Sequence, residues 1–138
     1  MKILFDTNVV LDLLLDRKPF SLAAAHLFSE VERGNIEGYI CATTVTTVHY
    51  LATKVIGPRK AQQEIHRLLT LLEVAPVNRL VLEASLDDRF SDFEDAVLHQ
   101  AARHMGTDGI VTRNLHDFKE AKMTIYSPEE LIKALENE

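Results

Sequence analysis

Asp6, Asp92, Asp95 and Asp117 are the side chains whose type and placing could carry out chemistry. Asp6 ends the apolar run Lys2–Phe5, which reads as a buried strand. Asp117 follows a second such run, Gly109–Thr112, with Arg113 and Asn114 in between. Asp92 and Asp95 open a helical pattern that runs to His104 or Met105. In an open parallel sheet, ligands bind beyond the carboxyl ends of the strands. Acids from three separate segments would then meet at one edge. Carboxylates brought together repel one another unless a cation intervenes. Magnesium and manganese take such oxygen ligands. An ion of this kind activates water and stabilises the charge that builds on a phosphate under attack. The chemistry these residues point to is phosphodiester hydrolysis.

Each acid also has a plainer use. Asp6 could simply cap the helix that follows it, and Asp92-x-x-Asp95 is spaced like a helix cap. Asp95 would gain from the helix dipole without any metal. Asp117, just before Phe118, could be a turn former, and Asn114 reads as a turn or hydrogen-bonding residue. Arg113 reads either as a phosphate contact or as a surface charge. The six histidines form no HxxxH pair, so zinc is not expected.

The elements that must position these acids alternate between short apolar strands and longer helices. Thr7 and Asn8 are expected to cap a helix over Val9–Leu15, and a second helix covers Leu22–Glu32, stopped by Gly34–Asn35. Gly38–Cys41 reads as a strand. Thr44–Val55 is rich in β-branched residues, but its length and apolar spacing predict a helix, with Thr44 or Thr46 as cap. Pro58 starts the next helix, Arg59–Leu72. A weak strand at Val74–Val77, a helix at Arg79–Leu86 and a last strand at Ile125–Tyr126 follow. Ser127-Pro128-Glu129-Glu130 is a capping box opening a helix to about Leu135. The alternation predicts an α/β, doubly wound fold with a central parallel sheet flanked by helices.

The bulk numbers fit one domain over residues 1–138. A content of 46% hydrophobic and 26% charged residues is that of a globular chain, not a disordered one. The single cysteine, Cys41, cannot form an internal disulfide, which suits a reducing cytoplasm. No signal peptide or membrane span is legible. A net charge of −6 argues against passive binding to a polyanion, although bound cations would reverse the local sign. The surplus of leucines at Leu13–Leu15, Leu68–Leu69 and Leu71–Leu72 reads mostly as core, and it is also compatible with a homodimer interface.

The runs ILFDTNVVLDLLL, DFEDAVLHQAA and GIVTRNLHDF resemble the three signature stretches of the PIN-domain family. GYICATTVTTVHYL is similar to the second segment of one bacterial subgroup, so the resemblance spans nearly the whole chain. It implies a three-layer α/β/α fold, dependence on magnesium or manganese, and cleavage of RNA. It implies further that the chain is VapC-like, the toxin half of a toxin–antitoxin pair with an antitoxin protein as partner. Carried over position by position, the catalytic and metal-holding acids are Asp6, Asp95 and Asp117, with Asp92 as a fourth metal-site acid. Asn8, Thr47, Arg113 and Asn114 are supporting residues.

One departure stands out. The family's usual glutamate, early in the helix after the second strand, falls at Thr47, and no acid occurs from Cys41 to Ala61. Weaker metal binding, one ion instead of two, or slow turnover would follow. Two other readings compete with the ribonuclease. A phosphotransferase with Asp6 as nucleophile would want an acid two residues later, where this chain has Asn8. A module that binds nucleic acid or protein and has lost its chemistry is kept open by Thr47.

Overall fold

The first strand of the computed structural model, which describes residues 1–138, is β1, Lys2–Phe5. Helices α1 (Thr7–Leu14) and α2 (Ser21–Glu32) follow, then β2 (Glu37–Cys41), α3 (Ala42–Ile56) and α4 (Pro58–Leu71). After β3 (Glu73–Ala75) come α5 (Arg79–Leu86), α6 (Phe93–His104), β4 (Gly109–Val111), a 3-10 turn at Leu115–Phe118, β5 (Thr124–Tyr126) and α7 (Pro128–Glu136). All five strands pair in parallel, in the order β3-β2-β1-β4-β5. The chain builds outward from β1 through β2 to β3. It then crosses to the other side of β1 to add β4 and β5. The gap between β1 and β4 is therefore the point where strand order reverses, the usual place for a site in such sheets.

Both sheet faces are covered, which is why β1 reads as an unbroken apolar run. Alternate residues supply two cores. Ile3, Phe5, Ile40 and Val111 face α1, α2, α4 and α7, joined by Leu27, Phe28, Leu68 and Leu131. Leu4, Tyr39, Cys41 and Ile110 face the other way, onto Val81 of α5, Val97, Leu98, Ala101 and Ala102 of α6, and Phe118. Phe5 and Phe28 pack ring to ring at 4.7 Å. At Gly109 any Cβ would lie 2.9 Å from the Thr124 carbonyl oxygen and 2.9 Å from the Tyr126 ring, so only glycine lets β4 and β5 close here. Of the surplus leucines, Leu69 alone is exposed; the others are buried or pack against the first core. No helix is long and apolar enough to cross a membrane.

Two local expectations need correction. Thr7 and Asn8 do not cap α1. They are its first helical residues, and the cap is Asp6, which has an extended backbone and accepts the Thr7 N–H at 2.7 Å. Neither Thr44 nor Thr46 caps α3. Strand β2 runs straight into that helix, so Cys41 takes the cap position without a side-chain bond. Thr44 lies inside the helix and receives the Thr7 hydroxyl at 3.1 Å, while Thr46 donates to the Thr43 carbonyl at 2.8 Å. The capping box at Ser127 and Glu130 forms as expected, and α5 starts at Arg79 as expected, with Asn78 as its cap.

Candidate active site

Asp6 sits at the carboxyl end of β1 and is 5% exposed. Its two oxygens are held from three sides. Oδ1 accepts the Thr7 N–H, and Oδ2 accepts the Thr112 hydroxyl at 2.7 Å and the Asn8 amide at 3.1 Å. Thr112, fully buried just beyond β4, also accepts the Asn8 amide at 3.2 Å and the Asn114 N–H at 3.0 Å. Asn8 returns its amide oxygen to the Arg113 N–H at 3.1 Å. Asp6, Asn8 and Thr112 thus stitch the end of β1 to the end of β4. Burial pushes the Asp6 carboxyl above the usual carboxylate range; the bonds from Thr112, Thr7 and Asn8 pull the other way, and the Glu94 charge adds to the rise.

Asp95 stands in the first turn of α6, half-buried. Its carboxyl is raised to about 7, first by desolvation and then by the charges of Asp6, Asp92, Asp117 and Glu94. The charges of the segments named from the sequence thus all bear on Asp95. Asp92 is the helix cap, accepting the Asp95 N–H at 3.1 Å, and it is also one of the charges acting on Asp95. Asp117 lies exposed in the 3-10 turn. Asn114 precedes that turn without a side-chain cap bond, and its backbone serves Thr112. No three of these acids close around a single point as a ready ligand set. The fit to a divalent ion lies in the donor chemistry: hard carboxylate oxygens, mutually repelling and partly desolvated.

Three residues escaped the sequence reading. A Glu94 oxygen lies 3.4 Å from the Thr47 hydroxyl, which also reaches the Thr43 carbonyl at 3.2 Å, so a carboxylate does come to the place where α3 lacks one. Its neighbours in the run DFED were the available signal, but helical geometry turns it off the Asp95 face. Thr112 looked like a strand residue. Asp12, in α1, drew no reading from the sequence, yet it is 1% exposed. It takes Arg113 in a two-pronged pair, Nε at 2.6 Å and Nη2 at 3.1 Å, and Arg17 Nε at 2.9 Å. Arg113 also lies 3.8 Å over the Phe20 ring. It is thus a structural residue, held by a carboxylate and an aromatic ring, and not a loose surface charge.

The raised carboxyls set a pH dependence. Through the range from about 4 to about 7 the folded chain keeps a proton on Asp95 that the unfolded chain has released. Stability from this group is therefore lost as pH rises through that window. In chelator, the melting temperature of the wild type is expected to fall relative to Asp95→Asn between pH 5 and 8. A flat difference between the two melting curves across that range would contradict the assigned field.

A parallel three-layer α/β domain, with acids gathered where its strand order reverses, defines the class of protein. The PIN domain family model matches residues 2–116, and the chain belongs to that family. It is 23% identical over 118 residues to Ribonuclease VapC1 of Aquifex aeolicus, an alignment covering 82% of this chain and 81% of that protein. In shape it is similar to a toxin–antitoxin complex from Klebsiella pneumoniae, with a TM-score of 0.70, 21% identity, and 91% and 97% of the two chains covered. VapC20 of Mycobacterium tuberculosis, described as a sarcin-ricin loop cleaving toxin, matches with a TM-score of 0.69 and 18% identity, covering 88% of this chain and 96% of that one.

Proposed function

We propose that this chain is a divalent-metal-dependent endoribonuclease, the toxin of a toxin–antitoxin pair, acting in the cytoplasm. The observation that carries the reading is the placing of acids at one edge of the sheet: Asp6 at the end of β1, Asp92, Glu94 and Asp95 at the start of α6, and Asp117 in the turn after β4. Asp6, Asp95 and Asp117 would hold magnesium or manganese, with Asp92 and Glu94 adding charge to the same pocket. An ion bound there supplies an activated water and offsets charge on the phosphate. Asn8 and Thr112 keep Asp6 in one orientation, and Thr47 steers Glu94 toward the pocket. The Aquifex ribonuclease and the Klebsiella toxin–antitoxin complex support an RNA substrate and a protein antitoxin.

The phosphotransferase reading lacks support because Asn8, which donates to Asp6 Oδ2, stands where that chemistry wants an acid. The binding-module reading rests on Thr47 and separates from the ribonuclease by one assay. Labelled single-stranded RNA incubated with the chain and manganese is expected to be cut internally, and cutting is expected to stop in chelator. Intact RNA under both conditions, with RNA retained by the protein, would favour the module. A homodimer belongs to the same proposal, and its mass would be read by size-exclusion with light scattering.

A further inference from the structure

Next to Asp117 the surface opens into a cleft of about 560 Å³. One wall is the loop between α5 and α6, carrying Arg89 and Phe90. The other is the 3-10 turn and its exit, carrying His116, Asp117, Lys119 and Glu120. Arg89 and Lys119 are exposed, and neither is ion-paired, although two acids line the same cleft. Arg17 and Arg113 differ in being held by Asp12. With Asp117 drawn into cation binding, the balance of the cleft becomes positive.

Both walls are fixed from beneath. His99 is fully buried on α6. Its Nε2 accepts the Lys122 N–H at 3.1 Å, so its Nδ1 carries the proton and donates to Asp88 Oδ2 at 2.9 Å. Gln100 donates to both oxygens of Asp88, at 2.9 and 3.0 Å. Phe90 stacks on His99 at 4.9 Å and meets Phe118 edge-on at 5.6 Å. The loop that presents Arg89 and the turn that leads to Lys119 are thereby locked to one buried cluster. Cations presented on pinned walls lose less freedom on binding than cations on loose ones.

We propose that this cleft is the subsite for an RNA backbone phosphate flanking the bond that is cut, with Arg89 and Lys119 as its cationic contacts. The proposal rests on the ribonuclease reading. It answers a difficulty of charge: a chain of net charge −6 must focus its attraction for a polyanion, and this cleft does so beside the acids.

The test is binding of a short labelled single-stranded RNA by the full chain in calcium, titrated over a range of salt. Removing both cations, as Arg89→Gln with Lys119→Gln, is expected to lower the salt slope by about 1.4, about 0.7 per lost phosphate contact. Affinity at moderate salt should fall on the order of tenfold. Arg89→Lys with Lys119 intact should restore most of both. Melting temperature and its rise in manganese should stay at parental values, since both side chains are exposed and unpaired. Parental affinity and slope in the double variant would overturn the subsite and leave the ribonuclease reading standing. Failure of the parent chain both to cut and to bind RNA would overturn both.

Discussion

Asparagine at Asp95 is expected to erase stabilisation by manganese. In the wild type, metal at about a hundred times its dissociation constant should add roughly 2.7 kcal/mol. For a domain of this size that raises the melting temperature on the order of 5–10 °C. Asp95→Asn keeps the shape and leaves the Asp92 cap on α6 able to form, because that bond uses the backbone N–H. It removes the charge on which the other four acids act. Two results should appear together. The metal-free variant should melt higher than the wild type near neutral pH, because a repelled carboxylate is gone. The manganese shift should vanish, and cleavage should fall on the order of a thousandfold, about 4 kcal/mol of transition-state stabilisation. A variant that keeps the full manganese shift would remove Asp95 from the metal site and weaken the proposed mechanism.

Alanine at Asp12 should be the most damaging change to stability among the charged residues described. Asp12 holds two arginines from a buried position, and its loss leaves the Arg113 guanidinium only 26% exposed and without its carboxylate. Breaking such a pair is expected to destabilise by about 3 kcal/mol, on the order of 10 °C in melting temperature. The damage should reach the site, because Arg113 is also the backbone donor to Asn8, which in turn bonds Asp6. Arg17→Ala should be mild by comparison, since that side chain is 39% exposed and makes one charged bond to Asp12. Thermal unfolding of the two variants decides it: equal effects would mean that the Arg113 pair is not the main element of the network.

Much of the architecture was legible because its signals are local. Both faces of β1 are covered, so Ile3, Leu4 and Phe5 read as one apolar run. Pro58, Ser127 and Pro128 mark helix starts by side-chain chemistry that acts within a turn. The start of α3 was misplaced because β2 enters it without a loop, and the threonines that looked like caps serve other partners. The acids were legible as residue types at strand and helix ends. Their supports were not. Thr112 reaches Asp6 across the sheet, Arg113 reaches Asp12 from the end of β4, and Glu94 meets Thr47 where two helices begin side by side. Each of these pairs is far apart in the chain, and no periodicity encodes it.

The strand order has a consequence for when the proposed site can exist during synthesis. β1 comes early in this chain, but its neighbour β4 begins only at Gly109. A nascent chain that stops short of β4 has no Thr112 to hold Asp6 and no Asp117 at all. Pairing between segments so distant is also slow to form. The proposed centre is thus incomplete until β4 and the turn after it have been made, and a chain interrupted before them would lack it. Timing of this kind is written into the topology.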